Sequence, residues 1–423
     1  MKIQRCKGTR DSSPEEMVAF RLIEGVFRDC CLKWGYKEVR TPTIEYLHLF
    51  TSAGTLTPSM LGKVYSFLDW DGWSGERVVL KPDGTIPVAR LYIDSMKNEG
   101  LAKLFYVTNI FIFEETGSKA RERWQCGTEL IGAGSPLADT ELISLALEIL
   151  KGLGLKGIEL RLSHAGLIKT ILAKLGLSSE EQISMFDQIL DGDMEALDRV
   201  RLGSPELQDI LLPLLSLRGQ SAGFLKNLKA LSQKLPEART QLDNFISIAD
   251  LLGALGCDYK IDIASGAGFE YYTGVIFQLF IGAEKIGGGG RYDALIPSMG
   301  GGNIPASGFA LYLDRLMRLV KLEAMAKSMP IPQRILVRAK SGKTGVLKET
   351  FSIASRLREA GLVVGLGLDD HEPVDYRWIL DVKSEAPSLT LFDKVKSDRV
   401  EVKTIGEVLA LLREKGADKD SSA

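Results

Sequence analysis

Histidine is scarce in this 423-residue chain: His48, His164 and His371 are the whole supply, and none lies near another. A metal centre built on imidazoles is therefore not legible in the sequence. Cysteine is nearly as sparse. Cys6, Cys30, Cys31, Cys126 and Cys257 are odd in number and form no CxxC pair, a pattern of reduced, intracellular thiols rather than of a disulfide framework. Cys30 and Cys31 sit in an apolar helical pattern and read as small core residues. Net charge is also missing: the balance of -2 gives no general electrostatic pull toward nucleic acid or an anionic membrane. No apolar run approaches the roughly 20 residues that a membrane span needs. The opening MKIQRCKGTRDSS has no apolar core of a signal peptide. The expectation is a soluble, cytoplasmic protein with no membrane association.

What is present is an ordinary globular composition, 45% hydrophobic and 26% charged, in a chain long enough for two or three domains. Residues 14–34 carry Met17, Phe20, Ile23, Val26 and Phe27 at helical spacing, with Pro14 at the start and Gly35 at the stop. Strands are expected at 63–69, 77–81 and 104–113, and a helix at 137–152. GYKEVRTPTIEY alternates as a strand that Pro42 interrupts. Between 166 and 256 strand signals vanish and leucine-rich helical segments take over, an insertion between two halves of a mixed sheet. Strands resume at 259–264 and 270–281, followed by a glycine-rich turn and a helix at 308–325. After 329 a small α/β unit begins. These features divide the chain into a core over 1–328, holding the insertion at 166–256, and a C-terminal α/β domain over 329–423.

Four places set polar residues on apolar elements. In LKPDGTIPVARL (80–91), Asp83 and Thr85 flank Gly84, which by itself is ordinary turn chemistry. In IFIFEETGSKARERWQCGTELIG (110–132), an apolar run, a charged loop and an alternating return run follow one another. Alternation puts Gln125, Gly127 and Glu129 on one strand face. That is the wall of a small-molecule site, an amide and a carboxylate with space between them. In SGAGFEYYTGVIFQLF (265–280), Tyr271 and Tyr272 point to opposite faces, one to the core and one free to reach a ligand. IGGGGRYDAL (286–295) lacks the Lys-Ser/Thr of a nucleotide loop and the context of a dinucleotide fingerprint. It reads as a tight turn, with Arg291 facing the site.

GTRDSSPEEM, GYKEVRTPTIEY, LKPDGTIPVARL, RERWQCGTELIG, YYTGVIF, GGGRYDAL and GFALYLDRL follow the order and spacing of the histidyl-tRNA synthetase family. Over residues 8–320 the chain resembles that family, which implies an α+β class II aminoacyl-tRNA synthetase-like fold. Such a fold has an antiparallel sheet flanked by helices and dimerises through the segment around Gly35–Pro42. The resemblance also implies a histidine pocket made of Asp83, Thr85, Gln125, Glu129, Tyr271 and Tyr272. Carboxylates, an amide and a phenol match a cationic amine and a two-nitrogen ring.

The chain departs from the family where ATP is handled. The second-motif arginine falls at Ile112 and the arginine before the tyrosine pair at Ala267; the third motif keeps Arg315 but has Tyr312 where the family has a glycine beside the adenine. Losing one fixed donor typically costs roughly 100- to 1,000-fold in rate. A kept amino-acid pocket with lost ATP chemistry resembles the regulatory-subunit family of ATP phosphoribosyltransferase, as does the SHAG sequence at 163–166 ahead of the helical insertion. That resemblance implies no catalytic residue, no metal and no cofactor. It implies a short catalytic subunit as partner in a hetero-octamer, and L-histidine as an allosteric inhibitor. The C-terminal unit resembles an anticodon-binding domain shortened between Leu368 and Trp378, so tRNA is not the expected partner. Two alternatives remain at this point: a histidyl-tRNA synthetase with an atypical site, and a sensor of uncharged tRNA or of another protein.

Overall fold

The first helix forms where its capping signals lie. In the computed structural model, α1 (Pro14–Lys33) begins with a reciprocal pair: the Glu16 N–H donates to the Ser13 hydroxyl (3.2 Å) and the Ser13 N–H to the Glu16 carboxylate (2.9 Å). Two donors at the helix start are thereby satisfied, and Pro14 has no N–H to satisfy. Gly35 follows at φ 79°, a conformation that glycine adopts without steric cost. The structure describes residues 3–52, 61–70, 75–113, 120–173, 178–190, 218–219, 236–262, 272–320, 333–367, 376–385 and 388–417.

The chain forms two units, Met1–Leu322 and Glu323–Ala423. In the first, the strands are β1 (Lys37–Glu38), β2 (Ile44–Tyr46), β3 (Ser66–Trp70), β4 (Gly75–Leu80), β5 (Ala102–Phe111), β6 (Glu122–Ile131), β7 (Ile158–His164), β8 (Arg218–Gly219), β9 (Lys260–Asp262), β10 (Val275–Ile281), β11 (Glu284–Arg291) and β12 (Ala306–Tyr312). The longer helices after α1 are α2 (Thr85–Leu91), α3 (Pro136–Gly152), α4 (Ala165–Ala173), α5 (Ser179–Leu190), α6 (Arg239–Ala254) and α7 (Leu313–Leu319), and Leu47–Ser52 and Leu295–Ser298 form shorter helical turns. Nine strands make one sheet in the order β1-β5-β6-β12-β11-β10-β7-β9-β8, and β2-β4-β3 make a small second sheet. In the large sheet β1–β5 and β7–β9 are parallel and the remaining pairs antiparallel. The expected antiparallel sheet flanked by helices is what forms.

Register divides that sheet into two unlike faces. Phe105, Thr128, Phe309 and Gly289 are opposite one another across four strands, as are Val107, Cys126, Leu311 and Gly287. This face meets the helices: Phe27 of α1 packs edge-on against Phe105 (5.8 Å between centroids) and Phe20 against Trp124 (5.1 Å). On the other face stand Tyr106, Gly127, Ala310 and Gly288 in one row and Leu104, Glu129, Gly308 and Gly290 in the next. Half of that floor has no side chain.

Three expectations change here. The tetraglycine 287–290 is the middle of a strand, not a turn. A Cβ on Gly287 would fall 2.7 Å from Leu311 of β12, and one on Gly288 would fall 2.7 Å from the Phe277 carbonyl of β10. The strands pack so closely that glycine is the residue that fits. GFALY, expected inside a helix over 308–325, is strand β12, and among the described residues of that span Leu313–Leu319 is helical. A short apolar run fits either period, and hydrogen bonds to β6 and β11 decide it. Within the helical insertion, Arg218–Gly219 pairs with β9 as a two-residue strand, and much of the remainder lies outside the described residues.

The second unit has β13 (Arg334–Ala339), α8 (Thr344–Glu359), β14 (Val363–Leu366), β15 (Trp378–Val382), β16 (Leu389–Asp393), β17 (Asp398–Val402) and α9 (Ile405–Ala417). Its sheet runs β14-β13-β15-β16-β17, with β13 parallel to both neighbours. Ile335, Val337, Leu380, Ile353, Leu357 and Val408 form its core. Residues 368–375, most of the compressed stretch before Trp378, lie outside the described residues. No helix among the described residues is long and apolar enough to cross a membrane.

Candidate functional site

The floor of the site is the glycine-bearing face, and its walls are the side chains that glycine admits. A Cβ on Gly127 would overlap the Tyr106 ring, and one on Gly308 would overlap the Glu129 carboxylate. A Cβ on Gly290 would come within 3.0 Å of the Tyr272 ring. Each glycine therefore seats one functional side chain flat against the sheet. From above, the turn ahead of α2 closes the site: the Cβ position of Gly84 lies 2.5 Å from Tyr106 and 2.7 Å from the Gln125 amide nitrogen. Asp83, Thr85, Gln125, Glu129 and Tyr272 are all buried here, brought together from 190 residues of sequence. Tyr271 and Ala267 lie outside the described residues.

Glu129, 1% exposed, is the centre of the cluster. The Tyr106 hydroxyl donates to one carboxylate oxygen (3.1 Å) and the Tyr292 hydroxyl to the other. Thr85 adds a further hydrogen bond. Burial outweighs these and pushes the Glu129 carboxyl up to about 8, and the nearby Asp83 adds to the rise. Asp83 is raised less, to about 6, because the backbone N–H groups of Ile86, Thr85 and Gly84 support its charge; the bond from Ile86 is 2.9 Å. The Gln125 amide nitrogen is buried and has no hydrogen-bond partner, an unmet donor in a dry wall. Such a cluster offers acceptors for a cation and an amide for a polar ring or carbonyl.

Tyr106 and Tyr292 were not singled out from the sequence. Tyr106 joins the site through its pairing with Gly127, a relation that the order of residues does not reveal. Tyr292 directly follows the glycine strand, in the RYD stretch that directed attention to Arg291 instead. Arg291 does not face the site. Paired with Ser307 on the helix side of the sheet, its guanidinium clamps Asp139 of α3 at 3.1 and 2.8 Å and also reaches the Ala133 carbonyl and Asp293, each at 3.1 Å. The parity of the strand, fixed by β12, turns it away.

Among the described residues, the cations nearest this site are held by protein partners. Ile112, just past β5, is tied through its N–H to the Arg121 carbonyl (2.9 Å). The Arg121 guanidinium lies over the Phe113 ring (4.3 Å), and the Arg123 Nε–H donates to the Ala120 carbonyl (3.0 Å). Both arginines are occupied in the hairpin. Tyr312 sits beside Gln125 in register, and the Arg315 guanidinium lies against its ring at 4.8 Å. Lys81 is buried close to Asp83, but its ammonium is bonded to Thr41, at 3.3 Å to the hydroxyl and 3.4 Å to the carbonyl. On the other side, the Lys169 ammonium of α4 holds the Tyr272 carbonyl (2.8 Å) and lies 4.9 Å over the Phe186 ring of α5. A pocket residue is thus tied directly to the helical insertion.

Comparison with known proteins shows the family and the fold. A family model described as histidyl-tRNA synthetase matches residues 8–316. An ATP phosphoribosyltransferase regulatory subunit of Dehalococcoides mccartyi is 51% identical over 411 residues, covering 97% of this chain and 98% of its own. A histidine–tRNA ligase of Methanosarcina acetivorans is 33% identical over 431 residues, 97% of this chain and 98% of that one. Among solved structures, an ATP phosphoribosyltransferase regulatory subunit/histidyl-tRNA synthetase from Bacillus halodurans matches with a TM-score of 0.78 at 24% identity, over 91% of this chain and all of that one. A histidyl-tRNA synthetase from Nostoc matches at 0.71 and 19%, over 95% and 97%. At these identities the two structures speak for the fold, an α+β core of the class II synthetase type.

Proposed function

Because the chain belongs to the histidyl-tRNA synthetase family and, within it, to the ATP phosphoribosyltransferase regulatory subunits, we propose that it is the non-catalytic, histidine-sensing subunit of that complex, acting at the first step of L-histidine biosynthesis. The observation that carries this reading is one asymmetry of the site. The amino-acid side has a carboxyl pair, an amide and phenols, while Ile112 stands where the resemblance calls for an arginine and Tyr312, with the retained Arg315 against its ring, where it calls for a glycine. L-Histidine is expected to place its ammonium near Glu129 and Asp83, with Thr85 beside them. Its imidazole would lie against Gln125 and the tyrosines Tyr272 and Tyr271. With Ile112 and Ala267 in place of two arginines, adenylation loses much of its charge stabilisation in this reading.

The partner in this reading is a short catalytic subunit, in a hetero-octamer built on homodimers of the synthetase-like core. Histidine in the pocket would bias two arrangements of that assembly, which is what inhibition from a distance requires. Lys169 offers a physical start for the signal, since it joins Tyr272 to α4 and α5. The C-terminal unit is assigned a structural or docking role and no cofactor is needed. The test is reconstitution with a short-form ATP phosphoribosyltransferase catalytic subunit. Activity that depends on this chain, and falls on adding histidine, is the expected result. Equal activity with and without the chain refutes the proposal.

A further inference from the structure

We propose that the pocket exchanges a proton for the positive charge of its ligand: the Glu129 carboxyl group is protonated before binding and gives up its proton when a ligand ammonium arrives, with Tyr106 and Tyr292 as positioning residues. The inference rests on the reading of this pocket as an amino-acid site and adds to it how the site is controlled. The balance is simple. A neutral carboxylic acid and a cationic amine become an ion pair, and one proton leaves for solvent.

The geometry divides the two carboxyls into different roles. Asp83 receives backbone N–H groups, donors fixed in place that favour a carboxylate. Glu129 meets hydroxyls: Tyr106 from β5, Tyr292 after β11, and Thr85 at the start of α2. A hydroxyl can turn to accept from a carboxylic acid as readily as it donates to a carboxylate, so this shell tolerates both states. Among the described residues, the other titratable groups in electrostatic contact with Glu129 include Asp83 and the phenols of Tyr36 and Tyr272. Lys81 acts on Asp83, but its ammonium is bonded to Thr41. Among the described residues no cation is in hydrogen-bond contact with Glu129. Two carboxylates in one dry pocket cannot both hold their charge cheaply, and Glu129 is the one left without a fixed donor of the backbone kind. Burial places its titration at about 8, within the range in which cells work.

The sign follows directly. Below the Glu129 titration the ligand must displace a proton, so affinity rises with pH by up to about tenfold per unit and levels off above it. The experiment is calorimetric titration of the full chain with L-histidine at pH 7.5, in phosphate, HEPES and Tris, whose ionisation enthalpies differ. The expected result is roughly three-quarters of a proton released per histidine at this pH, with an apparent Kd that tightens from pH 6 to 8. Glu129→Gln should abolish the release and flatten the pH profile while weakening binding. Tyr292→Phe removes a donor to the carboxylate, so it should shift the midpoint of the profile to higher pH, and Tyr106→Phe should do the same; a merely structural role would lower affinity equally at every pH. Binding with the same enthalpy in all three buffers overturns the proton exchange and leaves the pocket standing. Absence of histidine binding by the folded wild-type chain overturns both.

Discussion

Replacing Arg291 with methionine separates a structural ion pair from a ligand contact, because the two roles predict opposite patterns. Arg291 is 4% exposed and its partner Asp139 2%. The guanidinium makes four hydrogen bonds, two of them to Asp139. Arg291→Met fills similar space but leaves Asp139 buried beside α3 without a counter-charge. Breaking a buried pair from one side typically costs about 3–5 kcal/mol. Even with Arg291 present, burial raises the Asp139 carboxyl to about 6, so without it Asp139 should take a proton well above that value. The loss is therefore expected in full near pH 8 and reduced near pH 5.5, where Asp139 can be neutral. Adding Asp139→Asn to the variant removes the orphaned charge and should recover part of the loss. The assay is urea unfolding followed by tryptophan fluorescence at both pH values, with histidine binding measured on the folded variants. A loss below about 1 kcal/mol, the usual range for an exposed pair, would refute the assignment. So would weakened histidine binding with unchanged stability.

Three further outcomes follow from single contacts. Gly127→Ala puts a methyl group into the Tyr106 ring. It should cost roughly 1–3 kcal/mol of stability, seen as a lower melting temperature, and should weaken histidine binding; an unchanged Kd would mean that Tyr106 does not need this seat. Lys169→Met should leave histidine affinity nearly intact but weaken histidine inhibition of the reconstituted complex by about tenfold, a typical coupling; full inhibition would exclude Lys169 as the link. His164, whose Nδ1 accepts from the Leu167 N–H (3.1 Å), is held down to about 4 by burial. Its folded pKa lies below the ordinary value, so the unfolded chain binds more protons between pH 6.5 and 4, and this contribution to stability disappears as pH falls. Relative to His164→Asn, the wild-type chain should lose on the order of 3 kcal/mol across that window, and parallel stability profiles would refute it.

How much of this the sequence carried can be seen residue by residue. Gln125 and Glu129 were placed on one face by alternation alone, and Pro14 and Gly35 marked α1 to within a residue, because these signals are local. Asp83 and Thr85 read locally as turn residues, and only the family's motifs made them candidates. Arg291 and Tyr292 show the limit. Neighbours in sequence must face opposite ways in a strand, but which one faces the ligand depends on the pairing of β11 with β12, a relation between distant segments. The glycines misled for a related reason. Four in a row resemble a tight turn when read alone, yet between two strands they permit close packing on one face and a floor on the other. Tyr106 entered through pairing as well, since nothing in LFYVTNIFIF distinguishes it from a core aromatic.

The central claim is that this fold keeps an amino-acid pocket and has lost the chemistry that once accompanied it. Histidine-dependent exchange between ATP and pyrophosphate on the purified chain tests it most directly, with calorimetry on the same preparation as proof of an intact pocket. The account predicts that histidine binds and that exchange stays at background. Robust exchange would contradict it and return the chain to the active synthetases.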